Sequence, residues 1–219
     1  MMRRATAAAG PARAMTLEEW AALDEEVEGE FVDGILEEEE MPTFLHEIVV
    51  AWLIRTLHTW ARRRRGLVAS SETKIAVGPR RGRKTDLSVY LPGGVPPLAD
   101  ALVRVPPHVA VEVASPRPRD VRRDRVEKLG DYARAGIRYY WIVDPQLRSL
   151  EIFELGRDGR YAVALTASRG RVRAPGCPGL SVDLDALWSE VDEAARAGAR
   201  STRRRRSAGR KPTNDSGRS

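Results

Sequence analysis

Two apolar segments that each carry an acidic residue constrain the fold of this chain most strongly. Asp86 lies near the start of the run Thr85–Leu91, and Glu112 lies inside the run His108–Ser115. Both runs are rich in the β-branched and other apolar residues that favour strands. We therefore expect two strands of one sheet, each with a carboxylate in or beside an apolar surface.

The run around Glu112 alternates between two faces, because successive strand side chains point in opposite directions. Its three valines share one face, and Glu112 shares the other with Ala110 and Ala114. A carboxylate there is costly to bury unless it is paired or bound to a cation, and its small neighbours leave room for a metal and a substrate. Two such carboxylates with the ammonium of Lys128, on the helix that follows, form the arrangement that metal-dependent phosphodiester hydrolysis needs.

Hydrophobic periodicity and capping signals predict the elements around these strands. We expect helices over residues 16–24, 43–63 and 120–135, the first opened by a capping box of Thr16 and Glu19. Further strands are expected over residues 29–36, as two short pieces around the turn Asp33-Gly34, and over residues 67–77, 139–143, 150–155 and 161–165. We also expect a basic turn over residues 78–84 and a short core segment over 180–188.

Charge is distributed unevenly along the 219 residues. The total is +6, of which residues 196–219 carry +8 and residues 1–14 carry +3, so residues 15–195 carry −5. We predict a disordered N-terminal extension (1–14), one domain (15–195) and a disordered basic tail (196–219). Such a tail suits nonspecific attraction to nucleic acid, although a solubilising tail in an arginine-rich protein explains it equally well.

Cysteine use and hydropathy exclude several classes of protein. Cys177 is the only cysteine, so neither an internal disulfide nor a cysteine-rich zinc site is possible, and we expect a cytoplasmic location. No apolar run approaches the roughly 20 residues of a membrane span, so we expect no membrane partner. Only four of the 37 basic residues are lysines, which draws attention to Lys128.

Several ordered motifs between Met15 and Leu187 match one family. They are Met15–Glu19, Glu30 with Asp33-Gly34, His46, Thr85-Asp86, Val111–Pro116, Asp124 with Lys128 and Tyr132, and Gly136 with Tyr140–Pro145. On these residues the chain resembles the Uma-two family, a bacterial branch of the PD-(D/E)XK nuclease superfamily. Thr85 replaces the usual proline, and Ala114 stands where the wider superfamily has a lysine, for which Lys128 is the natural substitute.

The resemblance implies an α/β, restriction-endonuclease-like fold with a mixed central sheet flanked by helices. It also implies a Mg²⁺-dependent endonuclease, with Mn²⁺ as a substitute ion and DNA as the partner. Asp86, Glu112, the carbonyl of Val113 and Glu30 would hold the metal, and Lys128 would orient or deprotonate water or stabilise charge on the phosphate. Residues 62–65, 80–84 and 117–125 and the C-terminal tail would contact phosphates. The oligomeric state stays open, a homodimer included.

Each assignment has an alternative. Glu112 could be paired with an arginine, and Asp124 and Lys128, four residues apart, could form a surface pair worth roughly 0.3 kcal/mol. His46 could cap its helix or pack in the core, and Tyr132 is expected to pack. The alternative functions are a nuclease-fold protein that binds nucleic acid or regulates without cleaving it, and an interaction module with a basic tail.

Overall fold

The computed structural model describes residues 15–24, 27, 29–37, 41–70, 73–117 and 122–208, with side chains up to residue 200. The predicted N-terminal extension, residues 1–14, lies outside this part of the chain. The helices are α1 (Leu17–Ala21), α2 (Phe44–Arg62), α3 (Arg123–Lys128 as a π-helix, continued by Leu129–Ala135 as an α-helix) and α4 (Leu184–Ala208). The strands are β1 (Glu30–Val32), β2 (Ile35–Glu37), β3 (Leu67–Ser70), β4 (Lys74–Gly78), β5 (Arg81–Lys84), β6 (Leu87–Tyr90), β7 (Val109–Val113), β8 (Tyr139–Asp144), β9 (Ser149–Leu155), β10 (Tyr161–Ala167), β11 (Arg171–Arg173) and β12 (Ser181–Asp183).

A six-stranded mixed sheet forms the centre of the fold, in the order β10-β9-β8-β7-β6-β3. Within the described chain, β7 and β8 run parallel, and the other neighbouring pairs run antiparallel. In the antiparallel pair β6–β7, Leu87 lies opposite Val111. This register brings Asp86, just before β6, beside Glu112, near the end of β7.

Helices cover both faces of the central sheet, and the alternation predicted for β7 is confirmed. Its valines pack with α2, α4 and Trp141 on one face. Ala110 and Ala114 pack on the other face with Tyr132 of α3 and with Tyr140. Each large apolar side chain buried in these layers contributes roughly 1.5–3 kcal/mol, so the sheet that carries the two acids is held from both sides.

A second sheet, of order β2-β1-β5-β4, holds the N-terminal part of the fold. The predicted turn between β1 and β2 is present, with Asp33 and Gly34 at φ values of 52° and 96°. The capping box of Thr16 and Glu19 also forms. The single strand predicted over residues 67–77 is wrong, because β3 joins the central sheet and β4 joins this one.

Only part of the basic turn predicted over residues 78–84 is present, at residues 79–80. Residues 81–84 form β5, which pairs with both β1 and β4. The arginines and lysine of this segment misled the prediction, because charged residues are uncommon in the interior strands of a sheet unless they are paired.

Helix α4 continues past residue 195, where we expected order to end. Up to residue 200, where its side chains are described, its buried residues are Leu184, Leu187, Trp188 and Val191, and the helix reaches Ala208. Alanine and arginine dominate the second half, and both are strong helix formers. Residues 196–208 therefore continue a helix, whereas residues 209–219 of the predicted tail lie outside the described chain.

No helix in the described part of the chain is both long and apolar enough to cross a membrane.

Candidate active site

A cavity of about 150 Å³ opens where four elements meet. These are the N-terminus of α2, the start of β6, the end of β7 and the first turn of α3. Its polar lining consists of Thr43, His46, Glu47, Lys84, Thr85, Asp86, Glu112, Ser115, Arg123, Asp124, Lys128 and Gln146. The three residues of the predicted catalytic set, Asp86, Glu112 and Lys128, thus line one cavity, and Asp124 joins them.

Asp86 is held in place by the neighbouring strand and by α2. Its Oδ2 accepts a hydrogen bond from the backbone N–H of Val113 at 2.6 Å. His46 Nε2 lies 3.1 Å from the same oxygen. Burial alone would lower the pKa of His46, but its hydrogen bonds with Asp86 and Glu47 outweigh burial and raise this pKa.

Glu112 is buried, and two neighbours of α3 hold its two oxygens. Lys128 Nζ donates to Oε2 at 2.9 Å, and the Tyr132 hydroxyl donates to Oε1 at 2.6 Å. Its partner is therefore a lysine, and the alternative of an arginine pair is wrong. Burial raises the pKa of Glu112 well above its ordinary value; Lys128 opposes this shift, and the nearby Asp86, Asp124 and Glu30 add to it.

Lys128 is only 2% exposed, and Asp124 only 4%. The alternative that these residues form a surface pair is therefore wrong. Their burial follows from the direction of α3, whose first turns cross the cavity instead of lying on solvent. Lys128 Nζ also donates to the carbonyl of Lys84 at 3.2 Å and forms an ion pair with Glu30 Oε1 at 3.2 Å.

Asp124 has a buried oxygen, Oδ1, that accepts no hydrogen bond from the described residues. Arg123 Nε lies 3.9 Å from this oxygen. Burial raises the pKa of Asp124 to about 6, against the opposing effects of Lys128 and Arg123.

Glu30 lies behind this cavity, outside its lining, and its carboxylate is fully engaged. Oε2 accepts from Arg83 Nη1 at 2.7 Å, and Oε1 accepts from the backbone N–H of Lys84 at 3.0 Å. Its position outside the cavity lining argues against the predicted role of Glu30 as a metal ligand.

Two of the basic residues in the segment 80–84 do not present their charges to a phosphate. Arg83 is fully buried between Glu30 and Asp131, and Arg81 bonds to Asp33 and Asp131. The phosphate contact stays a prediction for Arg80, which is exposed, and for Lys84, which lines the cavity.

Sequence reasoning missed two contacts in the site. Tyr132 was expected to pack, yet it donates to Glu112; His46 was expected to cap or pack, yet it contacts Asp86. The N-terminal cap of α2 is Thr43, whose hydroxyl accepts from the His46 backbone N–H. Helical spacing places Tyr132 four residues after Lys128, on one face, which is the signal that could have paired it with the site.

A family model described as "Uma2: Putative restriction endonuclease" matches residues 15–185. The chain belongs to the Uma2 family. The match covers most of the chain and includes the four elements that form the cavity, so the resemblance drawn from the motifs is confirmed.

One of two similar solved structures agrees with the Uma2 assignment at the level of the fold. A crystal structure described as "a putative nuclease belonging to DUF820", from Anabaena variabilis, aligns with a TM-score of 0.66 at 18% identity, over 81% of this chain and 99% of that chain. The type IIG restriction endonuclease BpuSI aligns with a TM-score of 0.36 at 15% identity, over 71% of this chain and 17% of that chain. No protein of curated function matches the chain. The fold of this Uma2 protein is restriction-endonuclease-like, as predicted.

Proposed function

We propose that this protein is a divalent-metal-dependent endonuclease that hydrolyses phosphodiester bonds in DNA. One observation carries the proposal: Asp86, Glu112 and Asp124 line a single cavity with Lys128, in a chain of a restriction endonuclease family. Mg²⁺ is the ion we expect, with Mn²⁺ as a substitute, because hard divalent cations prefer oxygen ligands.

The chemistry of the donor set fits such an ion. As they stand, the described residues include no group of three or more His, Cys, Asp or Glu side chains placed to hold a metal. Asp124 nevertheless has a buried oxygen that accepts no hydrogen bond from the described residues. Asp86, Glu112 and Asp124, with the carbonyl of Val113, would hold the ion.

Divalent cations supply Lewis-acid chemistry in such sites: they neutralise charge on the phosphate and make water easier to deprotonate. The chain's own residues would position the reactants around that centre. His46 and the Val113 N–H fix the orientation of Asp86, which limits the geometries in which its free oxygen faces the cavity.

Lys128 would stabilise the negative charge that develops on the phosphate oxygens. Carboxylates lie on two sides of its ammonium, and such neighbours favour the charged form. A charged ammonium donates hydrogen bonds and cannot take a proton, so we assign it to charge stabilisation and orientation of water. The water oxygen then bonds to phosphorus while the bond to the leaving DNA oxygen breaks.

Basic residues near the cavity are the ones placed to contact the DNA backbone there. Arg123 lines the cavity, and Arg117 and Arg122 are exposed beside it. Arg63 lies 17 residues along α2 from His46, about 25 Å at 1.5 Å per residue. The segment 62–65 would therefore reach phosphates a long way from the one that is cleaved.

The rival function is a nuclease-fold protein that binds nucleic acid without cutting it. The presence of all three carboxylates and Lys128 in one cavity favours the enzyme, because a silent protein has no need to keep this costly buried set of charges.

A plasmid cleavage assay tests the proposal. The parent protein should nick or linearise plasmid DNA in Mg²⁺ or Mn²⁺ and leave it intact in EDTA. Glu112→Gln keeps the shape of the side chain and should reduce cleavage at least ~100-fold. Glu190→Gln changes a half-exposed carboxylate on α4 and should cut like the parent, which controls for a contaminating nuclease. Equal cleavage by all three preparations, or none by the parent in either ion, would reject the enzyme and favour the rival.

A further inference from the structure

Two carboxylates hold Lys128 at the cavity wall, one on the side that faces the cavity (the front) and one on the opposite side (the back). In front, Glu112 Oε2 lies 2.9 Å from its Nζ and lines the cavity. Behind it, Glu30 Oε1 lies 3.2 Å away, on β1 of the other sheet. The two carboxylates differ in one respect that matters: Glu112 reaches the cavity, and Glu30 does not.

A buried network fixes Glu30 itself. Arg83 is fully buried and bonds to Glu30 at 2.7 Å through Nη1, while its Nε bonds to Asp131 at 2.8 Å. The backbone N–H of Lys84 holds the oxygen of Glu30 that faces Lys128. Glu30 therefore has a fixed position that does not depend on the contents of the cavity.

The charge of Glu30 is also maintained. Burial alone would raise the pKa of this carboxyl, but Lys128, Arg83 and Arg123 together outweigh burial and lower it. A charged, immobile carboxylate next to an ammonium is suited to hold that ammonium in one place.

We infer that Glu30 is a positioning residue for Lys128: it holds the ammonium at the cavity wall independently of Glu112. The inference rests on the proposed function insofar as Lys128 serves the reaction. Lys128 and Tyr132 each bond to one oxygen of Glu112, so a metal bound to Glu112 would compete with Lys128 for Oε2. When Glu112 gives up Lys128, Glu30 and the carbonyl of Lys84 remain to keep the ammonium in position.

The experiment compares Glu30→Gln with a matched control, Glu127→Gln. Glu127 lies 3.9 Å from Arg83 and outside the cavity lining, so the control removes one negative charge from the same network without a contact to Lys128. Three quantities are measured for each protein: the cleavage rate at saturating DNA together with the DNA affinity, the Mn²⁺ affinity by calorimetry, and the NMR signals of the lysine ε-methylene groups without metal. The chain has four lysines, so Lys128→Arg identifies the signal of Lys128.

We expect Glu30→Gln to reduce the cleavage rate at least ~10-fold, with DNA and Mn²⁺ affinities within about threefold of the parent. The two ε protons of Lys128, distinct in an ordered side chain, should merge into one averaged signal. Glu127→Gln should match the parent in all three measurements. A Mn²⁺ affinity lowered tenfold or more would make Glu30 a metal ligand, and an unchanged Lys128 signal would make it a structural residue only; either result overturns the inference.

A second variant keeps the inference testable if Glu30→Gln does not fold. In Glu112→Gln, Lys128 should keep its distinct ε-proton signals, because Glu30 still holds it. An averaged signal there would show that Glu112 alone positions the lysine and would contradict the inference. If the parent does not cleave DNA, the proposed function fails, whereas the NMR comparison still decides whether Glu30 holds Lys128.

Discussion

At the scale of single residues, the buried charges of the site reduce stability when no cation is bound. The raised pKa of Asp124, about 6 in the folded protein against an ordinary 3.8, means that folding favours the protonated form. The stabilisation that the protonated Asp124 carboxyl contributes is complete below pH 3.8 and is lost as pH rises through about 6. Above that pH the folded protein carries a buried carboxylate with an unbonded oxygen.

Asp124→Asn should therefore stabilise the metal-free protein, by roughly 1–3 kcal/mol at pH 8. The gain should be smaller at pH 5 by about 1 kcal/mol, because the parent carboxyl is then mostly protonated when folded. Urea unfolding at both pH values in EDTA measures this. Asp100→Asn, on an exposed turn, should show no gain at either pH. A loss of stability in Asp124→Asn at pH 8 would contradict this prediction, because it would mean that a favourable interaction stabilises the charged carboxylate in the folded protein.

Lys128 should matter to folding as well as to cleavage. Removing one partner of a buried pair leaves the other charge uncompensated and costs about 3 kcal/mol or more. We expect this loss in urea unfolding of Lys128→Met, and partial recovery when Glu112→Gln is added, since fewer unpaired charges then remain. A loss below about 1 kcal/mol in Lys128→Met would contradict this prediction and would fit a surface ion pair instead.

Some site residues could be predicted from the sequence, whereas the contacts of others could not. Glu112 could be predicted as a site residue because burying a carboxylate in an alternating apolar strand costs free energy unless a partner or a cation compensates its charge. The contacts of His46 and Tyr132 could not, because they depend on how α2 and α3 are placed against the sheet. Periodicity gives the buried face of a helix, but not the atom of another element that its polar groups meet.

At the scale of elements, the sequence pattern does not predict how the strands are divided between the two sheets. The sequence predicts one strand over residues 67–77, but the chain crosses from the central sheet to the second sheet within that stretch. Both halves are apolar, so the pattern is the same whichever sheet receives them. The crossing is functionally relevant because it delivers β5, and with it Arg83, to the back of the site.

The second half of α4 should serve binding and not folding. Residues 195–200 are exposed, and Val191 is the last buried residue of α4 among the side chains that the structure describes. A chain ending at residue 195 should lose less than about 1 kcal/mol of stability, because the loss of exposed residues usually changes stability little. Its DNA affinity should fall and depend less steeply on salt, since fewer phosphates are neutralised. Trp188→Ala in the full chain is the contrast: it empties a core position and should cost about 3 kcal/mol.

The truncation is followed by thermal unfolding and by DNA binding at several salt concentrations. A large loss of stability in the shortened chain would show that residues beyond 195 pack on the domain. An unchanged salt dependence would favour the solubilising role of the tail.

At the scale of the whole molecule, the order of the motifs along the chain was enough to predict the family and the mixed central sheet. The position of the site then follows from how the strands of that sheet are arranged. Asp86 and Glu112 come from neighbouring antiparallel strands, so they meet only because β6 begins where β7 ends. Asp124 and Lys128 are then added by a helix that folds back over that edge. The site is therefore a property of the complete fold, and no single segment contains it.

The central claim is that the three carboxylates form a divalent-metal site. Calorimetric titration of the purified protein with Mn²⁺ tests it most directly, beside Asp86→Asn, Glu112→Gln, Asp124→Asn and the control Glu190→Gln. We predict that the parent and the control bind Mn²⁺ alike, and that each of the three site variants loses at least ~10-fold in affinity. If the parent binds no Mn²⁺, or if the three variants bind it as tightly as the parent, the cavity is not the metal centre and the account is wrong.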